Sequence, residues 1–223
     1  MLIEANKITK SFKRKGKYGL EFEVIKEISF EADKGSFIAI VGRSGGGKST
    51  FLSILSGLLK PDSGSVLFEE SDLYALDDDK LGQLRNESFG IVPQDHMVLK
   101  NFTVLENILI AREMYGRECD EEAVEELLSK VGLKDYSSFK AGELSGGELR
   151  RLAIARALIN SPKIIFADEP SGDLDEENTG KIMDIFKDLT LNDVAVILVT
   201  HDKDVMDHAD RIYRMDNGVL SDI

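Results

Sequence analysis

The chain has 223 residues, 42% of them hydrophobic, 31% charged and 7% aromatic, with a net charge of −13. This is the balance of a globular protein of one domain, or of one domain with a subdomain, and the excess of acid argues against DNA or RNA as the main partner. One cysteine, Cys119, excludes an internal disulfide and fits a reducing compartment. No run approaches the roughly 20 apolar residues of a membrane helix, and the N-terminus lacks a basic-then-apolar leader. If the function involves a membrane, another chain must span it.

In chain order, Leu2 to Phe12 and Phe22 to Phe30 read as strands, forming an antiparallel edge ahead of the next apolar run. The basic cluster Lys13-Arg14-Lys15-Gly16-Lys17 between them reads as a solvated loop. Phe12, followed by a loop, is either a core residue or a free ring on which a base can stack. Phe37-Ile38-Ala39-Ile40-Val41 is an apolar strand, and Phe51 to Leu58 has a helical pattern. Lys60 to Gly64 is a turn, Ser65 to Phe68 a strand, Asp77 to Arg85 a helix and Phe89 to Pro93 a strand. From about Thr103 to Ala157 the texture is helical. Thr103 and Glu106 suit a helix start, Asp120 opens a second helix and Ser145 a third. The last third alternates again: a strand Lys163 to Glu169, a helix Glu176 to Leu191 and a strand Val194 to Thr200. Near-continuous apolar strands indicate a parallel sheet covered on both faces. The expected architecture is α/β: a P-loop parallel-sheet core with an antiparallel β edge and an inserted α-helical subdomain. Residues 1–93 and 160–223 make the core and residues 94–159 the subdomain.

The motifs sit at the ends of these strands. Gly42-Arg43-Ser44-Gly45-Gly46-Gly47-Lys48-Ser49-Thr50 matches G-x-x-x-x-G-K-S/T between a strand and a helix. Glycines let backbone N–H groups converge on a phosphate, and the helix behind adds its positive end. Lys48 can reach the β- and γ-phosphates, and the Ser49 hydroxyl can ligate Mg²⁺. Asp168 ends an apolar strand, where a carboxylate can hold Mg²⁺ opposite Ser49. Glu169 follows where the chain turns, and suits a general base for a water beside the γ-phosphate. Gln94 and His201 also sit just past strands, and in a parallel sheet all these ends converge on one crevice. His201 can donate to the γ-phosphate and orient Glu169. His96 and His208 have no such context, and three scattered histidines make no metal site. Leu144-Ser145-Gly146-Gly147-Glu148 opens a helix with a good N-cap and two glycines, a second anion cradle. One nucleotide does not need two cradles, so the second serves a nucleotide held by another copy.

Over its whole length the chain resembles the nucleotide-binding subunit of an ABC transporter. The resemblance rests on the Walker A loop from Gly42 to Thr50, the Q-loop at Gln94 and the signature from Leu144 to Glu148. It extends to Walker B at Asp168 with Glu169, the D-loop Ser171-Gly172-Asp173-Leu174-Asp175 and the switch histidine His201. Phe12 matches the adenine-stacking aromatic. The resemblance implies ATP and Mg²⁺, with Ser49, Gln94 and Asp168 around the metal and Glu169, His201, Lys48 and Gln94 as catalytic groups. It also implies a head-to-tail dimer in which Ser145, Gly146, Gly147 and Glu148 of one copy close on the ATP of the other. Within the family the chain is similar to the lipoprotein-release and macrolide-export group (LolD/MacB-like), through the long hairpin before Val24-Ile25-Lys26, the text Asn101 to Asn107 and Glu143 to Glu148. The signature ends in Glu148 where many members have glutamine, and Asp173 is an added acid.

The function expected from this resemblance is ATP hydrolysis that powers a membrane transporter, at the cytoplasmic face of the membrane through permease subunits. Export or extraction of lipoprotein, peptide or macrolide-like substrates is one reading. Regulation through a membrane partner without transport is the alternative. Met97, Val98, Leu99 and Phe102 are candidates for the contact with that partner. A soluble ABC ATPase acting on DNA or ribosomes usually brings two cassettes or a long coiled-coil insertion, and neither is present.

Overall fold

The computed structural model describes residues 1–13, 21–95, 97–116 and 121–223. Arg14 to Lys17 of the basic cluster, His96 and Cys119 lie outside them.

The first strands alternate. In Ile3–Lys13 (β1) and Glu21–Ala32 (β2), the side chains of Ile3, Ala5, Ile8, Ile25, Ile28 and Phe30 are buried between exposed polar neighbours. That period of two suits a sheet with one wet face. Phe37–Val41 (β3) is buried at every position and leads through the glycine loop into Lys48–Leu55 (α1). The apolar pattern predicts this helix as far as Leu58, yet it stops at Leu55. Gly57 takes the left-handed φ of 70° and turns the chain, leaving Leu58 56% exposed. Ser63–Phe68 (β4) and Ser71–Asp72 (β5) then join β1 and β2 in an antiparallel sheet of order β2-β1-β4-β5. The antiparallel strands therefore form a sheet of their own rather than an edge of the parallel one. Amphipathic strands need one solvated face, which a doubly covered sheet does not offer.

Asp77 caps Asp78–Ser88 (α2), which feeds Phe89–Val92 (β6). The helical stretch holds Val104–Glu113 (α3), Glu121–Lys130 (α4) and Gly146–Leu158 (α5). Thr103 with Glu106, and Ser145 with Glu148, form capping boxes at α3 and α5. Val104, Ile108, Val124, Leu128, Leu152 and Ala155 pack in a core of their own. The chain returns to the sheet with Ile164–Asp168 (β7), Glu176–Thr190 (α6), Ala195–Thr200 (β8) and the short Lys203–Met206 (α7). It finishes with Arg211–Asp216 (β9) and Val219–Asp222 (β10), a hairpin absent from the sequence-based expectations.

The large sheet runs β10-β9-β3-β8-β7-β6, parallel except for β10. Its two faces are both buried. Ile38, Ile40, Phe166 and Ile197 face Phe51 and Ile54 of α1 and the first sheet. Their neighbours Phe37, Ala39, Ile165 and Val196 face Ile182 and Phe186 of α6 and Ile154 of α5. Parallel order brings the carboxyl ends of β3, β6, β7 and β8 to one edge, where the candidate site is built.

Candidate functional site

A cavity of about 670 Å³ opens at that edge. It is bordered by Phe12, Phe22 and Val24 from the antiparallel sheet, and by Gly42, Arg43, Ser44, Gly45, Gly47, Lys48, Ser49 and Thr50 from the glycine loop. Gln94, Asp168, Glu169 and His201 close the far side. Gly46 points away from it, its N–H bonded to the Arg43 carbonyl at 3.1 Å.

The loop has the features of an anion cradle. At Gly47 the φ is 104°, and an added Cβ would come within 2.8 Å of the Val24 carbonyl oxygen. A side chain there would push β2 away from the loop. Lys48 is buried to 8% exposure, and its Nζ donates to the Gly42 carbonyl at 2.8 Å and the Arg43 carbonyl at 3.1 Å. The start of α1 receives no side-chain cap, whereas side chains of Asp77, Thr103, Ser145 and Asp175 cap α2, α3, α5 and α6. The first-turn N–H groups of α1 are thus left to an external acceptor, and the dipole makes a phosphate the fitting one.

The two acids share this cavity because the backbone turns between them. Asp168 closes β7 at 8% exposure, and burial pushes its carboxyl above the usual carboxylate range. A hydrogen bond from the Ser49 hydroxyl opposes the shift. A raised, buried carboxyl beside a hydroxyl is a hard-oxygen pair suited to a small divalent cation. Among the described residues no cluster of three or more His, Cys, Asp or Glu forms a cage. Such a cation would therefore need oxygens from a bound ligand, as Mg²⁺ does with phosphates. Glu169 takes the left-handed φ of 50°. Its N–H donates to the Val199 carbonyl at 2.9 Å, and its own carbonyl accepts the Gly172 N–H at 3.0 Å. That turn lets Glu169 face the cavity beside Asp168 instead of the opposite side of the sheet. His201 Nδ1 lies 2.9 Å from Glu169 Oε1, which assigns the proton to Nδ1 in the neutral ring. The imidazole is 81% exposed and Glu169 only 17%, so the histidine reaches over the carboxylate from the solvent side.

Phe12 is 37% exposed and borders the cavity, so it is not a core residue. Its ring stands 6.2 Å from that of Phe22. Ser145, Gly146, Gly147 and Glu148 do not border this cavity. Ser145 Oγ donates to Glu148 Oε2 at 2.7 Å, and the Glu148 N–H returns a bond to Ser145 Oγ at 3.3 Å. Gly146 and Gly147 lie against the loop that follows Glu169: an added Cβ at Gly146 would stand 3.3 Å from Asp173 Cβ.

The family model described as ABC transporter matches residues 25–172. The chain belongs to the ABC transporter family. Lipoprotein-releasing system ATP-binding protein LolD of Saccharophagus degradans is 42% identical over 202 residues, 89% of each chain. The uncharacterized ABC transporter ATP-binding protein YvrO of Bacillus subtilis is 40% identical over 98% of this chain and 95% of its own. Among solved structures, the dimeric cassette MJ0796 in a post-hydrolysis state bound to ADP and Pi matches with a TM-score of 0.92. It is 33% identical and covers 99% of this chain and 98% of its own.

Two features of the cassette escape a reading of its sequence. Phe22 joins Phe12 at the cavity, and the only textual hint is an aromatic on the outward face of a strand. Arg150, on the signature helix, is buried to 2% exposure while Arg151 and Arg156 are only partly buried. Three arginines in one helix give no sign of which one the fold draws inward.

Proposed function

We propose that this cassette hydrolyses ATP with Mg²⁺ and that two copies close head to tail around two nucleotides. The observation that carries the reading is the Glu169–His201 pair, 2.9 Å apart, beside a P-loop helix without a side-chain cap. In this reading the N–H groups of Gly45 and of Gly47 to Thr50 and the Lys48 ammonium bind the phosphates, and Phe12 stacks on the adenine. Ser49, Asp168 and the Gln94 side chain would hold Mg²⁺, which would supply positive charge against the phosphates. Glu169 orients a water and accepts its proton, and His201, holding Glu169 through Nδ1, points its other face to the γ-phosphate. At the turn that Ser145 and Glu148 cap, the N–H groups of Gly146 and Gly147 of the second copy complete the donors in trans. Residues 94–159 act as the moving subdomain against 1–93 and 160–223.

The names of the relatives support release of lipoprotein as the task, and the cassette would work at the cytoplasmic face of a membrane. No helix among the described residues is long and apolar enough to cross one, so permease subunits would do the spanning. A groove of about 390 Å³ offers them a seat. Leu58, Met97, Met114 and Tyr115 line it and are 56%, 72%, 65% and 43% exposed. Flexible Met-rich surfaces adapt to helical partners. Leu99 and Phe102 are exposed nearby, while Val98 packs inward against the helical core.

The test is Glu169→Gln. Phosphate release should fall at least about 100-fold, the scale of a lost general base, while ATP affinity stays within about threefold. With ATP the variant should elute as a dimer. Lys48→Ala should instead weaken ATP binding at least about tenfold by calorimetry, the scale of one charge-assisted contact. Normal turnover in Glu169→Gln removes Glu169 from the base role.

A further inference from the structure

Arg150 is buried where no role in the chemistry has been given to it. A guanidinium enters a protein interior only with its donors met. Here Nη1 donates to the Pro93 carbonyl at 2.8 Å, Nη2 to the Gln94 carbonyl at 2.7 Å and Nε to the Gly172 carbonyl at 3.3 Å. The first two acceptors lie on the loop leaving β6. The third lies on the loop that follows Glu169. Arg150 itself rides on α5, whose N-terminus is the Ser145–Gly147 turn. Burial opposes its charge, and the carboxylates that favour it are Asp173 foremost, then Asp168, Glu169 and Asp95.

One cation therefore joins three segments with separate tasks. The planar fork of arginine sends donors in fixed directions, so it fixes the orientation of the acceptors as well as their distance. We propose that Arg150 is a positioning residue: its fork locks the Gln94 loop and the Gly172–Asp173 loop to the signature helix, so that the Ser145–Gly147 turn and the Glu169 carboxylate shift together. A shift of the half-site that a copy lends to its partner is then passed to the loops beside its own nucleotide half-site. Asp173 is the carboxylate whose charge most favours the Arg150 cation, and its Cβ would stand 3.3 Å from a Cβ added at Gly146. The inference rests on the ATPase reading above for its consequence in turnover. The lock itself does not depend on that reading.

The lock is tested first without nucleotide, by hydrogen exchange on the whole chain. Arg150→Lys keeps a charge but offers a compact point donor in place of the fork. It should raise exchange at least tenfold in both loops, around Gln94 and around Gly172 to Leu174, with α1 unchanged. A rise confined to α5, or none in one of the two loops, overturns the proposal. In turnover, Arg150→Lys should lower kcat at least tenfold with KM and the ATP Kd within threefold, and lysine performing as arginine overturns it. Asp173→Asn changes an exposed side chain, and it serves where Arg150→Lys is poorly folded. It should raise exchange at Gly172 to Leu174 while sparing the Gln94 loop, and a uniform rise overturns the assignment of Asp173. Combined with Arg150→Lys it should cost at least threefold less in kcat than the product of the single effects, whereas strict independence overturns the shared lock. A parent chain without ATPase activity would sink the functional reading and leave the exchange result to judge the lock.

Discussion

Ser145 has one hydroxyl proton, and in this cassette it is given to Glu148. That hydroxyl and the Ser145 N–H hold the Glu148 carboxyl below the usual carboxylate range. A folded pKa that is depressed stabilises the protein above the unfolded value of 4.5 and ceases to do so as pH falls through the folded value. Glu148→Ala should therefore lower Tm by about 2–4 °C at pH 7, the size of a lost cap of about 1 kcal/mol in a chain of this length. Toward pH 3 the difference from the parent should shrink, because the parent has lost the ionised cap as well. Glu148→Gln, which keeps an acceptor for the Ser145 N–H, should stay near the parent at pH 7. A Tm difference for alanine that is the same at pH 7 and pH 3, read by calorimetric scans, would show that the charged cap is not what stabilises this turn. The same scale shows what is legible in a sequence. The glycine loop, Asp168-Glu169 and His201 are legible because phosphate chemistry demands fixed residue types at fixed places after apolar strands. Phe22 and Arg150 are not, because their places depend on which face a strand or helix turns toward a distant segment.

At the scale of elements, the β9–β10 hairpin braces the glycine loop from behind. Its turn is Asn217-Gly218, with φ of 49° and 81°, the mirror-type turn that matches strand twist. The Gly218 N–H donates to the Gly46 carbonyl at 3.2 Å, and the Gly218 carbonyl accepts the Lys26 N–H at 2.9 Å. The Met215 carbonyl packs directly on Gly42, which leaves no room for a Cβ there. A Cβ at Gly218 would meet the Val24 carbonyl oxygen at 2.5 Å. Gly218→Ala should thus cost more than about 1 kcal/mol and lower Tm by several degrees. It should also raise the ATP Kd, because the displaced turn carries Gly46 with it. Gly132→Ala is the control: its φ is 68°, yet nothing lies within 4 Å of an added Cβ. It should lower Tm without changing ATP affinity. Equal ATP affinity in both variants would separate the hairpin from the loop. The hairpin escapes a sequence reading because only Tyr213 and Met215 of β9 are buried, too few for a period. The turn signal was present in Asn-Gly. The separate antiparallel sheet escapes for another reason: alternation reports a wet face and says nothing about which sheet a strand joins.

For the whole molecule, the proposed pairing of two copies makes the charge of the chain bear on how they meet. Each carries −13. Bringing two such bodies together is opposed by their summed fields, which reach about 30 Å at 0.01 M salt and only about 8 Å at 0.15 M. The contacts of the proposed closed state are short-ranged: a phosphate against Lys48 and backbone N–H groups, shielded from salt by burial. Salt should therefore weaken the repulsion more than the attraction. In the Glu169→Gln variant with Mg·ATP held saturating, raising NaCl from 0.02 to 0.15 M should tighten the dimer several-fold. The gain should lie in the association rate, since steering fields act on encounter and buried contacts on escape. Sedimentation equilibrium reads the first quantity, and stopped-flow mixing of two labelled pools reads the second. A dimer that loosens with salt would mean that opposite charges meet across the joint. The head-to-tail arrangement would then need an ion-pair pattern linking its rims.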